Sequence, residues 1–338
     1  MTNLINTINK NENNCDNCHY LDKKTPVNYN DYLYKGKMIN IIRNFRDKTS
    51  VLNREVDLFD PFMDSLRLLG NTFAEKIHGR SIVEFDGYDT GKYDCRCELA
   101  DLAIFTYSLK KRIFRLTLNQ VKLAKKYYDF ENKPNYFFIQ NRKQWLLLSK
   151  RSIFRPYKNR KTFDGNTLQN ASLSSIGSFG IFYKAKEYIY EFKYFIANLL
   201  KPNPSLKGCK LYFKGEYRKT HFYNILHLKE IEGCESLHCF FCALQNGLIG
   251  SPINNLLNDN SFYESMLDIL DSAKNSTDGL PSNLNNRINN NMRIINDVRK
   301  LIAELKDVTN EGVSNNSNFS NSRLKFSIRN LIIMNLDD

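Results

Sequence analysis

No stretch of this sequence approaches the roughly 20 consecutive apolar residues that a bilayer-spanning helix needs. The most apolar segment, Phe179 to Leu200, is interrupted by Lys184, Lys186, Glu187, Glu191 and Lys193, and it reads as an amphipathic, partly buried helix. The opening residues, Met1 to Asn14, are polar and Asn-rich and lack the apolar core of an export signal. Both absences argue against a membrane partner and for a cytoplasmic location, where the eight cysteines should stay mainly reduced. There is no internal repeat and no sustained heptad, which excludes solenoids and long coiled coils. Histidine is scarce: His78, His221 and His227 have no partner visible in sequence. Nothing beside Cys95 and Cys97 supplies a base for a nucleophilic thiol.

What the chain does have is length and a lopsided charge. Its 338 residues, 42% of them hydrophobic, suffice for one sizeable core plus a second unit. The net charge of +13 is concentrated: residues 108–162 hold sixteen Lys or Arg against two acids, Asp129 and Glu131, a local +14. A basic field of this kind attracts polyanions and releases their counterions on binding, although a solvated Lys-rich surface has the same composition.

The organisation divides into four parts: a polar N-terminal segment 1–58 with a short helix near Met38 to Phe45, a core over 59–162, an aromatic-rich region 163–253, and an Asn-rich, helical region 254–338 with one clear helix from Met292 to Lys306. Within the core, Pro61 suits the first turn of a helix. Leu66, Leu69, Phe73 and Ile77 then recur at helical spacing, and Gly79 ends it. Ser81 to Phe85 reads as a short strand. Leu99 to Tyr107 reads as a strand covered on both faces, and Ile113 to Val121 is again β-rich. Lys122 to Tyr128 continues as a strand end or a helix start, Tyr136 to Ile139 is a short strand, and Lys143 to Lys150 is a helix. This order predicts an α/β fold with a mixed central sheet flanked by helices, followed by a second, mainly helical or mixed C-terminal region.

The residues that carry chemistry lie on the central hairpin. If its turn is centred at Lys110–Lys111, opposed residue numbers sum to about 221, and Asp101 faces Gln120. Gln120 and Lys122, two apart on a strand, point to the same side. A one-residue slip would break this pairing. Leu99 and Ala103 flank Asp101 on its own face, so its charge must be paired or metal-bound. Phosphodiester hydrolysis needs a water nucleophile and relief of charge on the phosphate. A hard cation bound by oxygen ligands serves both needs. Asp101 is the candidate anionic ligand, with the Gln120 carbonyl and the Val121 backbone carbonyl as neutral ones. Lys122 would orient the water and offset the transition-state charge. As an alternative, Asp101 is a turn residue and Gln120–Lys122 the exposed face of an ordinary hairpin.

The pattern Asp101…Gln120-x-Lys122 resembles the PD-(D/E)xK superfamily of restriction-endonuclease-like nucleases, in its Gln-x-Lys variant similar to the Mrr-type branch. The resemblance covers about residues 60–150. It implies a restriction-endonuclease-like core, Mg²⁺ or Mn²⁺ as cofactor, DNA as partner, and a setting in bacterial restriction or anti-phage defence with a homodimer or a partner protein. Asp101 matches the metal-binding Asp and Lys122 the catalytic Lys. Gln120 stands where Glu or Asp is usual, at the loss of one negative charge. The family's additional helix glutamate maps first to Glu75, then to Asp64, eleven residues away and about 20° past three turns; Glu84 is a third candidate.

Downstream, Asn141 to Lys161 interleaves Arg142, Lys143, Lys150, Arg151 and Arg155 with Trp145, Phe154 and Tyr157. With Lys125 and Lys126 these cations are candidates to track a nucleic-acid backbone, while Trp145 and its leucines fit a core. Gln144, on the same helix, is a candidate support for the site. Cys15-x-x-Cys18-His19 has haem-attachment spacing, which would require export. Cys15, Cys18, Cys239 and Cys242 together could form one Zn²⁺ site, or the second pair could pack with Phe240 and Phe241 as a buried cluster. Two readings therefore stand beside the nuclease: a catalytically inactive nucleic-acid-binding subunit of a defence complex, and a zinc-stabilised interaction protein.

Overall fold

The computed structural model describes residues 29–77, 82–124, 138–139, 141–158, 163–186, 189–202, 210–217, 219–223, 228–307 and 328–337. Helices α1 (Tyr29–Thr49) and α2 (Glu55–Leu68) lead into strand β1 (Thr72–Lys76). Strands β2 (Ile82–Phe85), β3 (Cys95–Glu98), β4 (Leu102–Ser108) and β5 (Ile113–Ala124) follow. Then come β6 (Phe138–Ile139), α3 (Arg142–Lys150), β7 (Phe154–Pro156), the single turn α4 (Thr167–Asn170), β8 (Gly177–Lys186) and β9 (Ile189–Ile196). The remaining elements are β10 (Leu200–Pro202), β11 (Lys210–Phe213), β12 (Thr220–Tyr223), β13 (Leu228–Ile231), β14 (Gly233–Cys234), α5 (Leu237–Gln245), β15 (Ser251–Pro252), α6 (Asn260–Asp278), α7 (Asn285–Asp307) and β16 (Asn330–Asn335).

An eight-stranded mixed sheet in the order β1-β16-β4-β5-β8-β9-β14, with β15 alongside β5, forms the centre. The last strand, β16, lies between the first strand and the hairpin: it runs antiparallel to β1 and parallel to β4. Strands from residues 59–162, 163–253 and 254–338 thus share one hydrogen-bonded sheet.

Alternation along the strands sends apolar side chains to both faces. Leu102, Ile104, Val121, Phe182, Phe192 and Ile332 pack under α1, α2 and α5. Phe73, Ala103, Phe105, Leu116, Leu118 and Ile333 pack under α3, α6 and α7. Each large side chain so buried contributes on the order of 1.5–3 kcal/mol, so the sheet is held from two sides as a three-layer α/β/α unit. The mixed sheet flanked by helices matches the sequence expectation.

Several sequence expectations need correction. Phe179 to Leu200 is not a helix but the β8–β9 hairpin followed by β10; its aromatic residues alternate between the two cores. The helix expected from Pro61 to Gly79 starts earlier and stops sooner. It runs through Pro61 and is broken by Gly70 (φ 86°) and Asn71 (φ 42°), so Phe73 belongs to β1 and Ile77 directly follows that strand. Glycine fits that left-handed conformation without a Cβ penalty. The hairpin itself agrees with expectation: Leu102 opposes Asn119, Ala103 opposes Leu118, and the ladder keeps this register to Ser108 and Ile113.

Candidate active site

The site is assembled where the open end of the β4–β5 hairpin meets the first turn of α2, the end of β3, α3 and the residue before β16. Asp101 precedes β4 and its backbone is fixed on both sides. Its N–H donates to Asn119 O at 3.1 Å, and its carbonyl accepts from the backbone and side chain of Asn330, at 3.3 and 3.2 Å. The residue is only 2% exposed. Its Oδ2 accepts from Gln120 Nε2 and, at 2.9 Å, from the Val121 N–H. Asp101 and Gln120 therefore meet across the hairpin as the register required.

Lys122 completes the group. Its Nζ lies 4.0 Å from Asp101 Oδ2 and 4.0 Å from Glu55 Oε1. Glu55, the first residue of α2, is itself fixed, because its Oε2 accepts from the Leu123 N–H at 2.9 Å. Gln144 on α3 donates to Gln120 Oε1 at 2.8 Å. That approach depends on Gly177, where an added Cβ would meet Leu148 O at 2.6 Å; α3 could not press as closely on β8 with any side chain there. Arg329, just ahead of β16, closes the site: it reaches Glu98 Oε1 at 2.7 Å and Asp101 Oδ1 at 3.9 Å.

Burial is the main cause that pushes the Asp101 carboxyl up to about 6, reinforced by the charges of Glu98 and Glu55 and opposed by Lys122 and the Val121 N–H. Two carboxylate oxygens at the site face Arg329 and could hold a metal ion only with that guanidinium displaced. Asp101 Oδ1 accepts no hydrogen bond from Gln120 or Val121, and Glu98 Oε1 is buried without a hydrogen-bond donor, its pairing with Arg329 being an ion pair of poor hydrogen-bond geometry. Both face the same guanidinium. Mg²⁺ commonly takes one or two carboxylates and keeps several waters, so this donor set fits such an ion. No group of three or more His, Cys, Asp or Glu suited to a metal occurs among the described residues. Gln120 departs from the expected ligand role: its oxygen is turned to Gln144 and its amide nitrogen to Asp101.

The other site candidates fall elsewhere. Glu75 is on β1, not on a helix, and both its oxygens are engaged by Arg287, with Asn291 and Arg67 adding further bonds. It is an anchor between β1 and α7. Asp64 pairs with Arg67 and Lys48, and Glu84 lies between Arg96 and Arg155. The helix acid beside the site is Glu55, which the sequence pattern does not single out, nor does it single out Arg329; Glu98 stands in the informative Glu98-Leu99-Ala100-Asp101 stretch but without an assigned role. Glu55 had one signal: an acid in the first turn of a helix that could be extended upstream of Pro61.

Among the basic candidates, Lys125 and Lys126 lie outside the described residues. Arg142 is exposed and Lys143 half-buried at the start of α3. Lys150 pairs with Asp89 at 2.7 Å. Arg151 is spent internally on the carbonyls of Leu168, Gln169 and Ala171, so it ties down the α4 turn rather than facing a ligand. Arg155 stays largely exposed. Of the zinc candidates, Cys15 and Cys18 lie outside the described residues. Cys239 and Cys242 are buried on α5 in the cluster that includes Phe240 and Phe241.

Comparison with protein-family models, curated proteins and solved structures gives no match to this chain. No described helix is long and apolar enough to cross a membrane.

Proposed function

We propose that this chain is a metal-dependent nuclease that hydrolyses phosphodiester bonds in DNA, and, by its resemblance to the PD-(D/E)xK superfamily, that it serves bacterial restriction or another anti-phage defence. The observation that carries this reading is the meeting of Asp101, Gln120 and Lys122 at one point of the hairpin, with Glu55 beside Lys122.

In this reading Asp101, with Glu98, holds Mg²⁺ or Mn²⁺. The bound ion supplies Lewis acidity at the scissile phosphate. Lys122, held by Glu55, orients the attacking water and offsets the charge gathering on the phosphate oxygens. Gln144 holds Gln120, and Gln120 with the Val121 N–H fixes the Asp101 carboxylate. A flip of the Gln120 amide, with Gln144 following, would turn a carbonyl toward the ion.

The test is cleavage of supercoiled plasmid in Mg²⁺, Mn²⁺ or EDTA. Nicking or linearisation that requires the metal supports the reading; cleavage that persists in EDTA contradicts it. One observation favours a second reading, a catalytically inactive DNA-binding subunit. Gln120 turns an N–H toward Asp101, and Arg329 already stands against both carboxylates. DNA binding indifferent to divalent metal, without cleavage, is its signature.

A further inference from the structure

A small sheet of three strands, β3-β2-β7, packs beside the site. Its inner face is apolar, with Val83, Phe85, Cys95, Cys97 and Phe154 in the core. On its outer face one row crosses all three strands: Arg96 on β3 opposes Glu84 on β2, which opposes Arg155 on β7. Glu84 bonds Arg96 at 2.6 Å and Arg155 at 3.1 Å, and the Arg96 bond, as the larger influence, holds its carboxyl below its ordinary value. The two guanidiniums are also held from the side, Arg96 over the Tyr157 ring and Arg155 over the Tyr93 ring, each at 4.4 Å. Yet the Arg96 and Arg155 side chains remain 57% and 58% exposed, against 10% for Glu84. Two cations are thus oriented in advance and open to solvent, and one buried acid balances only one of them.

We infer that this row is a docking strip for the phosphodiester backbone of duplex DNA, continuous with the Asp101 site. Arg96 and Glu98 share a face of β3, two residues and about 7 Å apart. Glu98 meets Arg329, and Arg329 reaches Asp101. A backbone lying on the two guanidiniums is therefore led to the carboxylates. Planar guanidinium forks fixed by stacking lose little freedom when they grip phosphate. The excess positive charge selects a polyanion, and the guanidiniums stand over the ring faces, so the strip offers charge in preference to a stacking surface. This inference rests on the nuclease reading for its ligand, but its test does not need cleavage.

The experiment is fluorescence anisotropy of a short labelled DNA duplex, in EDTA, over a salt series. Wild-type protein is compared with Arg96→Gln/Arg155→Gln. Since that double variant strands Glu84, Glu84→Gln/Arg96→Gln/Arg155→Gln is measured in parallel. Losing two phosphate contacts should flatten the log–log salt slope by about 1.8 and weaken binding about tenfold or more at low salt. The triple variant should lose as much, although it also sheds a negative charge. Arg293→Gln/Arg299→Gln, on α7, removes two charges elsewhere and should leave the slope nearly unchanged. The inference is overturned by wild-type protein that fails to bind the duplex, by an unchanged slope in the strip variants that fold, or by an equal loss in the α7 variant. A failed cleavage assay would sink the metal site while leaving this binding result standing.

Discussion

Lys122 on β5 and Asp101, just ahead of β4, approach each other across one hairpin, Nζ 4.0 Å from Oδ2, although they stand 21 positions apart in sequence. The same ammonium is 4.0 Å from Glu55. The site thus combines a buried carboxylate, a cation that neutralises it, and a second acid that steadies the cation. This arrangement gives the variants below distinct signatures.

Glu55→Gln keeps a group able to accept from the Leu123 N–H but removes the charge beside Lys122. A supporting residue of this kind is worth about 10- to 100-fold in activity. We expect kcat to fall by that order while KM for DNA changes little, read from initial rates over a substrate series. Full activity in Glu55→Gln would show that Lys122 needs no such partner.

The Asp101 carboxyl should leave a mark on stability against pH. Its folded value, raised to about 6 mainly by burial, means that the folded chain retains a proton that the unfolded chain releases between about pH 4 and pH 6. Stability should therefore decline as pH rises through that window and stay lower above it, by about 3 kcal/mol from this one group. Asp101→Asn does not titrate. In EDTA its melting temperature, relative to wild type, should rise between pH 4 and pH 7. Parallel pH curves for the two proteins would contradict a raised, burial-dominated Asp101 carboxyl.

Arg151 should matter for folding and not for binding. Its guanidinium caps three carbonyls of the α4 turn, two of them in part-buried bonds, and its removal loses these charge-assisted bonds, at about 1–3 kcal/mol. Arg151→Ala should lower the urea midpoint and leave the DNA affinity of the folded protein unchanged. A selective loss of affinity at constant stability would restore its place in a nucleic-acid surface.

The C-terminal strand should be indispensable. Ile332 is fully buried on β16, between β1 and β4, and its truncation to Ala should cost about 2–5 kcal/mol. Equilibrium unfolding in urea measures it. A cost well below 1 kcal/mol would mean that β16 is not seated in the sheet.

The hairpin was legible in sequence because its register depends on local facts: an apolar strand, a basic turn of fixed length, and a β-rich return. Those facts were enough to bring Asp101 to Gln120. The rest depended on pairings between distant segments. Arg329 and Asn330 reach the site from 228 and 229 residues away, and their six-residue strand carries no periodicity that names its neighbours. The β8–β9 hairpin reads as a helix in sequence because both its faces are apolar, which removes the alternation that marks a half-buried strand. Its density of Phe and Tyr was the signal for β structure. Glu75 reads as a helix residue for a related reason: apolar spacing across Leu66, Leu69 and Phe73 fits a helix, and the break is marked only by Gly70–Asn71.

The most direct test of the central claim is plasmid cleavage by wild-type protein and Lys122→Ala in Mg²⁺ or Mn²⁺, with circular dichroism to show that both are folded. Metal-dependent nicking or linearisation is expected from the wild type and none from the variant. Equal cleavage by a folded Lys122→Ala protein would contradict that claim.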